Sequence, residues 1–168
     1  MRYHTANAVP TAEGAIQIAM EELPITLHDA RALVIGFGRL GRALAPRLRA
    51  LGARVWVSAR RYEQRAAAES MGLGSEGVTR LSDWLCSYDL VFNTVPAPVL
   101  GVEELAALKE RALVIDLASR PGGVNMDAAS ALGVRVIWAL SLPGKVAPVT
   151  SGRYIRDTVY HIMEESEL

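Results

Sequence analysis

The chain has 168 residues, of which 51% are hydrophobic, and its formal net charge is zero. This length is typical of one domain, and the balanced charge argues against the broad basic field of a nucleic-acid-binding protein. The single cysteine, Cys86, gives no disulfide framework, and the sequence shows neither a run of about 18 apolar residues nor the apolar core of a signal peptide. We therefore expect a cytoplasmic protein that contacts neither nucleic acid nor membrane.

An amphipathic helix is predicted over residues 11–23, with Thr11 as its N-cap, and short apolar runs then alternate with helical segments. The predicted strands are Ala32–Ile35, Arg54–Val57, a weaker one at Gly77–Thr79, Leu90–Phe92, Leu113–Ile115 and Val134–Trp138. The other predicted helices are Arg39–Leu51, Tyr62–Met71 and, at the end, Ser151–Glu165. This alternation is typical of right-handed βαβ units. It predicts an α/β, doubly wound parallel sheet of the Rossmann type, with six strands in the order 3-2-1-4-5-6.

Three glycines separate the first strand from the helix that follows it, in the pattern G-x-G-x-x-G. In a dinucleotide site the first glycine permits a sharp turn, the second lets a pyrophosphate reach the backbone, and the third lets the helix pack closely on the sheet. The alternative is a strand-to-helix turn without a ligand. The predicted cofactor-binding residues of this turn are Gly36, Phe37, Gly38, Arg39, Leu40 and Gly41.

The end of the second strand indicates which dinucleotide is bound. An NAD-binding domain usually carries an acidic residue there for the ribose 2′-hydroxyl, whereas this chain has Ser58, Arg60 and Arg61 and no carboxylate before Glu63. Guanidinium groups suit a 2′-phosphate because they donate charge-assisted, often bidentate hydrogen bonds. The sequence therefore predicts NADP as cofactor, with a solvated basic loop as the alternative.

The loops after the fourth and fifth strands should border the nicotinamide, because ligands of such sheets lie across the carboxyl ends of the strands. Asn93 and Thr94 are predicted to bind ribose hydroxyls, and Val95 and Pro96 of the same loop are also assigned to the cofactor. In the next loop, Leu117 and Ala118 are assigned to the cofactor, and Ser119 and Arg120 to a carboxylate of the substrate. Asp116 is expected to hold that loop in place. The alternative for both segments is turn chemistry alone.

Further candidates come from the loop after the sixth strand and from the first helix. Gly144 is predicted to approach the nicotinamide, Lys145 to hold a substrate carboxylate, and Thr11 and Glu13 to face the substrate. For Lys145 the alternative is a solvated side chain, and for Thr11 and Glu13 it is helix capping. The three histidines, His4, His28 and His161, have no metal-ligand spacing, so we predict no metal. No residue stands out as a general base, and the catalytic residues stay unassigned.

Four segments resemble the family of dipicolinate synthase A subunits, found in spore formers. These segments are Pro10–Ile16, Asn93–Pro96, Ile115–Gly123 and Leu142–Pro148, and the similarity runs from about Ala6 to the C-terminus. The resemblance implies a cytoplasmic, NADP-dependent oxidation of a cyclic dihydropicolinate precursor, a small dicarboxylate heterocycle, to dipicolinate during sporulation. It also implies a partner, the flavoprotein-like B subunit of the same enzyme.

The resemblance also implies a further domain of more than a hundred residues before the part that matches, which we expect this chain to lack. We therefore expect residues 1–168 to form a single NADP-binding domain, with residues 1–24 as an interdomain-type segment and helix and without the upstream substrate domain. Such a chain should bind NADP and be nearly inactive alone. It should also form a homodimer through the apolar stripes Ile16–Leu23 and Ile155–Met163. A domain that senses a nucleotide without catalysis is the alternative function.

Overall fold

The structure, a computed structural model, describes residues 7–166, which form one six-stranded sheet flanked by helices. The strands are β1 (Arg31–Ile35), β2 (Arg54–Ser58), β3 (Gly74–Glu76), β4 (Leu90–Asn93), β5 (Leu113–Asp116) and β6 (Arg135–Trp138). The α-helices are α1 (Ala8–Glu22), α2 (Arg39–Ala50), α3 (Tyr62–Ser70), α4 (Val102–Ala106), α5 (Met126–Leu132), α6 (Leu142–Val146) and α7 (Pro148–Ser166). Every pairing is parallel and the order is β3-β2-β1-β4-β5-β6, which confirms the predicted fold.

Both faces of the sheet are buried, as a parallel sheet with helices on each side requires. Along β1 the side chains alternate: Ala32 and Val34 pack into one core together with Leu44 and Leu48 of α2, whereas Leu33 lies in the core on the opposite face. Among the described helices, none combines the length and the apolar character needed to cross a bilayer.

The third strand lies three residues earlier than predicted. Gly74–Glu76 pairs in parallel with Trp56–Ser58, and the strand ends level with the end of β2. Residues 77–79, which were predicted to be the strand, therefore run past the carboxyl edge of the sheet. The prediction was wrong because an edge strand of three residues has too few side chains for a periodic pattern.

The first helix also begins earlier than predicted. Its N-cap position is Asn7, so Thr11 lies inside the helix, where its hydroxyl donates to the Asn7 carbonyl oxygen at 2.7 Å. Ile16 and Ala19 are buried in the core, whereas Met20 is exposed. The expectation that α1 leaves an apolar stripe uncovered was therefore wrong, because α1 packs on α2 and α6. Residues 1–6, with His4 and the start of the predicted 1–24 segment, lie outside the described residues.

Candidate cofactor-binding site

The glycine-rich turn joins β1 to α2 with the backbone geometry that the sequence predicts. Gly36 has a φ of +94°, a conformation that side chains strongly disfavour, and its N–H donates to the Ser58 carbonyl at 2.8 Å. A Cβ at Gly41 would overlap the carbonyl oxygen of Gly36. Glycine at position 41 therefore lets the first turn of α2 lie directly against the turn that precedes it.

Gly38 occupies the N-cap position of α2 and leaves open space in front of the helix. A Cβ built there would meet no heavy atom within 4 Å. The first N–H groups of a helix lack intrahelical partners and carry the positive end of the helix dipole. This end of α2 thus combines free donors, positive potential and room for an anionic group.

A cleft of about 940 Å³ opens at the carboxyl edge of the sheet, in front of this turn. Fourteen of the predicted site residues line it: Thr11, Gly36, Phe37, Gly38, Arg39, Leu40, Ser58, Arg60, Thr94, Val95, Pro96, Leu117, Ala118 and Ser119. Seven others are absent from its lining: Glu13, Gly41, Arg61, Asn93, Arg120, Gly144 and Lys145. The loops that follow β1, β2, β4 and β5 therefore converge on one site.

Ser58 ends β2 at the cleft wall, but its hydroxyl is already engaged. The side chain is fully buried, and Oγ donates to the Gly77 carbonyl oxygen at 3.1 Å. This bond joins the ends of β2 and β3. In this structure the Ser58 hydroxyl therefore supports the cleft wall, and its predicted contact with a 2′-phosphate stays a prediction.

The two arginines after β2 differ in position. Arg60 is exposed and lines the cleft, and within residues 7–166 its guanidinium has no hydrogen-bond or ion-pair partner. Arg61 is the N-cap residue of α3 and is absent from the cleft lining. Of these two arginines, Arg60 is therefore the one that lies in the cleft wall.

Asn93 lies beneath the cleft rather than in it. Its Nδ2 donates to Asp116 Oδ1 at 2.8 Å and to the Val95 carbonyl at 3.0 Å, and its Oδ1 accepts from Val95 N–H at 3.0 Å. The residue is fully buried. Both of its amide hydrogens shape the loop after β4, and the ribose contact predicted for Asn93 stays a prediction.

Asp116 has the loop-holding position that the sequence predicts. Its carboxylate accepts from Asn93 Nδ2, from Ala118 N–H at 3.0 Å and from Gly123 N–H at 2.9 Å. The side chain is 1% exposed. One buried carboxylate therefore links the ends of β4 and β5 and orients the segment from residue 117 to residue 119 along the cleft.

Thr94 joins the loop after β4 to the glycine turn. Its hydroxyl donates to the Ile35 carbonyl at 2.9 Å. The Thr94 and Val95 side chains lie where a Cβ at Gly36 would be. Thr94 thus lines the cleft with its hydroxyl hydrogen directed at the backbone of β1, and its predicted ribose contact stays a prediction.

The two predicted carboxylate-binding residues after β5 differ in position, because Ser119 lies in the cleft lining and Arg120 does not. Ser119 lines the cleft and is exposed. The Arg120 guanidinium lies 5.6 Å from the centroid of the Trp138 ring, and Trp138 Nε1 donates to the Ala118 carbonyl at 2.9 Å. Arg120 is therefore stacked next to the cleft, one residue beyond the segment that forms its wall.

The remaining predictions concern α1 and α6, which pack on each other. A Cβ at Gly14 of α1 would be 3.1 Å from Val146 of α6, so the two helices are closely apposed. Gly144 and Lys145 lie in α6, exposed and outside the cleft lining, as does Glu13 on α1. The segment after β6 is thus a helix that covers α1, rather than the predicted loop, and the contacts predicted for these three residues stay predictions.

Sequence reasoning missed several residues of the cleft lining. These are Gln64 of α3, Val78, Leu81, Pro98 and Val99. The available signal was the parallel sheet itself, since the loop after every strand lies at the same edge. The misplaced third strand concealed that signal by assigning residue 78 to the sheet.

Asn7 is a further residue that the sequence did not single out. It lines the cleft, and among described residues its Oδ1 is the buried side-chain oxygen without a hydrogen-bond partner. Buried polar atoms in proteins are normally paired. This acceptor, the open space at Gly38 and the Arg60 guanidinium are together the features that a polar, anionic dinucleotide would use, so the residues fit such a cofactor. No three His, Cys, Asp or Glu side chains gather into a metal-binding group within residues 7–166.

Comparison with known proteins identifies the family. Residues 4–136 match the family described as the D-isomer specific 2-hydroxyacid dehydrogenase, NAD binding domain. The chain belongs to this family. Its glycine turn and cleft are accordingly those of a dehydrogenase-type Rossmann domain, and the family supports a nicotinamide dinucleotide as cofactor and an oxidoreductase as enzyme class.

Individual relatives agree with the resemblance carried by the four sequence segments. The chain is 35% identical over 159 residues to the dipicolinate synthase A subunit of Bacillus subtilis (strain 168), an alignment covering 95% of this chain and 54% of the relative. The crystal structure of dipicolinate synthase from Bacillus subtilis superposes with a TM-score of 0.95 at 34% identity, over 98% of this chain and 55% of that chain. The structure of the Bacillus halodurans A subunit gives 0.93 at 36% identity, over 95% and 55% respectively. This chain thus spans about half the length of these relatives.

Proposed function

We propose that this chain is the NADP-binding domain of a dipicolinate-synthase-like oxidoreductase, which oxidises a cyclic dihydropicolinate precursor to dipicolinate during sporulation. The chemical part of the proposal extends the similarity to the dipicolinate synthase A subunits, because that relationship covers nearly the whole chain. Residues 1–168 would form one domain, and the substrate would be bound between this domain and a second one. A flavoprotein-like B subunit of the same enzyme would be the partner.

The observation that carries the choice of NADP is the Arg60 guanidinium in the cleft wall at the end of β2, which has no partner among the described residues. Where an NAD-binding domain presents a carboxylate to the ribose, this wall presents Ser58, Ala59 and Arg60. A 2′-phosphate gives Arg60 a charged partner, and charge-assisted hydrogen bonds of this type are about twice as strong as neutral ones.

Other residues of the cleft would bind and orient the remaining parts of the cofactor and the substrate. The backbone N–H groups at Gly38 and Arg39 would bind the pyrophosphate, and Val95, Pro96, Leu117 and Ala118, which also line the cleft, would border the nicotinamide. A bound nicotinamide would supply the hydride-accepting chemistry. This domain would contribute mainly orientation, which can lower the barrier of a transfer step without a protein acid or base.

Substrate carboxylates would bind at the edge of the cleft, in the loop after β5. Ser119 offers a hydroxyl there, and the stacked Arg120 supplies a guanidinium next to it. A dicarboxylate suits this pair because guanidinium groups bind carboxylates in a planar, bidentate geometry.

Replacement of Arg60 by alanine tests the cofactor choice. We expect Arg60→Ala to weaken NADP binding by about 1–3 kcal/mol, the range for a hydrogen bond to a charged group, and to leave NAD binding almost unchanged. Titration calorimetry with each dinucleotide measures both affinities. Arg153→Ala is the matched control, because Arg153 is an exposed arginine on α7 outside the cleft lining. If the unmodified chain binds NAD at least as tightly as NADP, the proposal of NADP is overturned.

A further inference from the structure

Arg65 holds the turn that presents Arg60, although Arg65 itself is absent from the cleft lining. From the first turns of α3 its Nη1 reaches back and donates to the Ala59 carbonyl at 2.9 Å and to the Arg60 carbonyl at 3.1 Å. Its guanidinium also lies 6.0 Å from the centroid of the Tyr62 ring. One side chain thus binds two consecutive carbonyls in the segment between β2 and α3.

The two residues of this segment, Ala59 and Arg60, are held to different degrees. Ala59 is buried, and its N–H donates to the Glu76 carbonyl of β3 at 3.1 Å. Arg60 is exposed, and its side chain has no partner among residues 7–166. Among the described residues, the hydrogen bond from Arg65 to the Arg60 carbonyl is therefore the side-chain contact that restrains the backbone of Arg60, which lines the cleft.

We infer that Arg65 is a positioning residue for cofactor selection: by binding the carbonyls of Ala59 and Arg60, it sets the Arg60 guanidinium in the orientation that receives the 2′-phosphate of NADP. The inference rests on the proposed function, since it concerns the same phosphate. Without Arg65 the turn keeps its attachment to β3, but Arg60 must be ordered when NADP binds. That ordering lowers affinity for NADP, whereas NAD offers Arg60 no phosphate and should be indifferent to it.

The first experiment compares single variants of the full chain by titration with NADP and with NAD. We expect Arg65→Ala to raise the Kd for NADP by about five- to thirtyfold and the Kd for NAD by less than about twofold. Arg65→Lys keeps a cationic donor and should fall between the two. Arg49→Ala is the matched control, because Arg49 also donates from Nη1 to a backbone carbonyl, that of Met71, away from the cleft lining. It should leave both affinities unchanged.

The second experiment is a double-mutant cycle between positions 60 and 65. If Arg65 acts through Arg60, Arg65→Ala should change the NADP affinity of the Arg60→Ala variant by less than about twofold. Full additivity would mean that Arg65 contacts the cofactor independently, and would overturn the inference. So would an equal loss of NADP and NAD affinity in Arg65→Ala, or no loss at all. The proposed function fails separately: in that case the unmodified chain shows no preference for NADP.

Discussion

The Asp116 carboxylate holds together the loops that form the floor of the cleft. It is buried and accepts three N–H donors, one from the Asn93 side chain and two from the backbone at Ala118 and Gly123. A neutral amide of the same size replaces one accepting oxygen by a donor. At least one of the three N–H groups would then face another donor in a buried site.

We therefore expect Asp116→Asn to lower the free energy of unfolding by about 2–4 kcal/mol, from lost charge-assisted bonds and an unpaired buried donor. Urea denaturation at neutral pH measures this change. Asp157→Asn serves as control, because Asp157 is exposed and its pair with Arg156 should contribute less than about 1 kcal/mol. A loss at Asp116 no larger than that of the control would show that the three bonds contribute little.

The sequence predicts residue roles well where the backbone determines them. A left-handed turn at position 36 and close packing at position 41 leave only glycine, so the motif could be interpreted without a structure. Roles that depend on competing hydrogen bonds could not be predicted in this way. Ser58 and Asn93 have side chains suitable for a ligand, yet each bonds to a residue far along the chain, Gly77 and Asp116 respectively.

At the scale of the elements, the strand ends opposite the cleft are joined by a charged cluster at Asp89. This residue follows the two short 3-10 turns before β4, and it accepts from Arg31 N–H of β1 at 3.0 Å and from the Lys109 ammonium. Burial alone would raise the pKa of Asp89, but the bonds from Lys109 and Arg31 and their positive charges outweigh it and lower the pKa below its usual value. Asp89 thus stabilises the fold in its ionised form.

A defined pH dependence follows from this lowered pKa. A carboxylate with a depressed pKa in the folded state contributes fully above its unfolded pKa, about 3.9, and loses that contribution as pH falls through the folded pKa. We expect Asp89→Asn to cost about 1.5–3 kcal/mol at pH 7. The gap between the two proteins should narrow below about pH 4. Urea denaturation from pH 7 to pH 3 measures it, and a gap that stays constant over this range would contradict the assignment.

Elements with a strong apolar period were predicted nearly to the residue, and weakly patterned ones were not. The helix Arg39–Ala50 differs from its prediction by one residue, because Leu44 and Leu48 repeat at helical spacing and are buried. The start of α1 and the position of β3 were missed by three residues each. In both cases the deciding interactions, helix entry at Asn7 and pairing to Trp56–Ser58, leave no periodic mark on the sequence.

At the scale of the whole molecule, α7 carries a row of apolar side chains that the other described elements leave exposed. Ile155, Val159 and Met163 are about half exposed, at 49%, 49% and 54%. They follow one another at helical spacing, so they share a side of the helix. Since α1 is packed into the core, the predicted self-association now depends on α7 alone.

We expect the isolated chain to form dimers at micromolar concentration and to oxidise dihydropicolinate with NADP very slowly. Association follows from the exposed side of α7, because contiguous apolar patches usually find a partner and twofold pairs are the commonest arrangement. Slow turnover follows if the substrate needs a second domain to orient it, as proposed. Light scattering and a turnover assay measure the two properties.

Val159→Glu should return the chain to a monomer, and Asp157→Asn on the same helix should not. A monomer in the unmodified chain would show that α7 does not self-associate. Turnover at a full enzymatic rate would show that this domain is sufficient for catalysis, and would contradict the proposed need for a second domain.

The contact between Thr94 and Gly36 has a consequence for protein engineering. The two residues lie 58 positions apart, yet the Thr94 side chain fills the space that a Cβ at Gly36 would need, and its hydroxyl bonds to the end of β1. The glycine turn and the loop after β4 therefore behave as one transferable unit. A chimera that receives either segment alone from a homologue would inherit half of a matched surface, whereas exchange of both segments together preserves the fit.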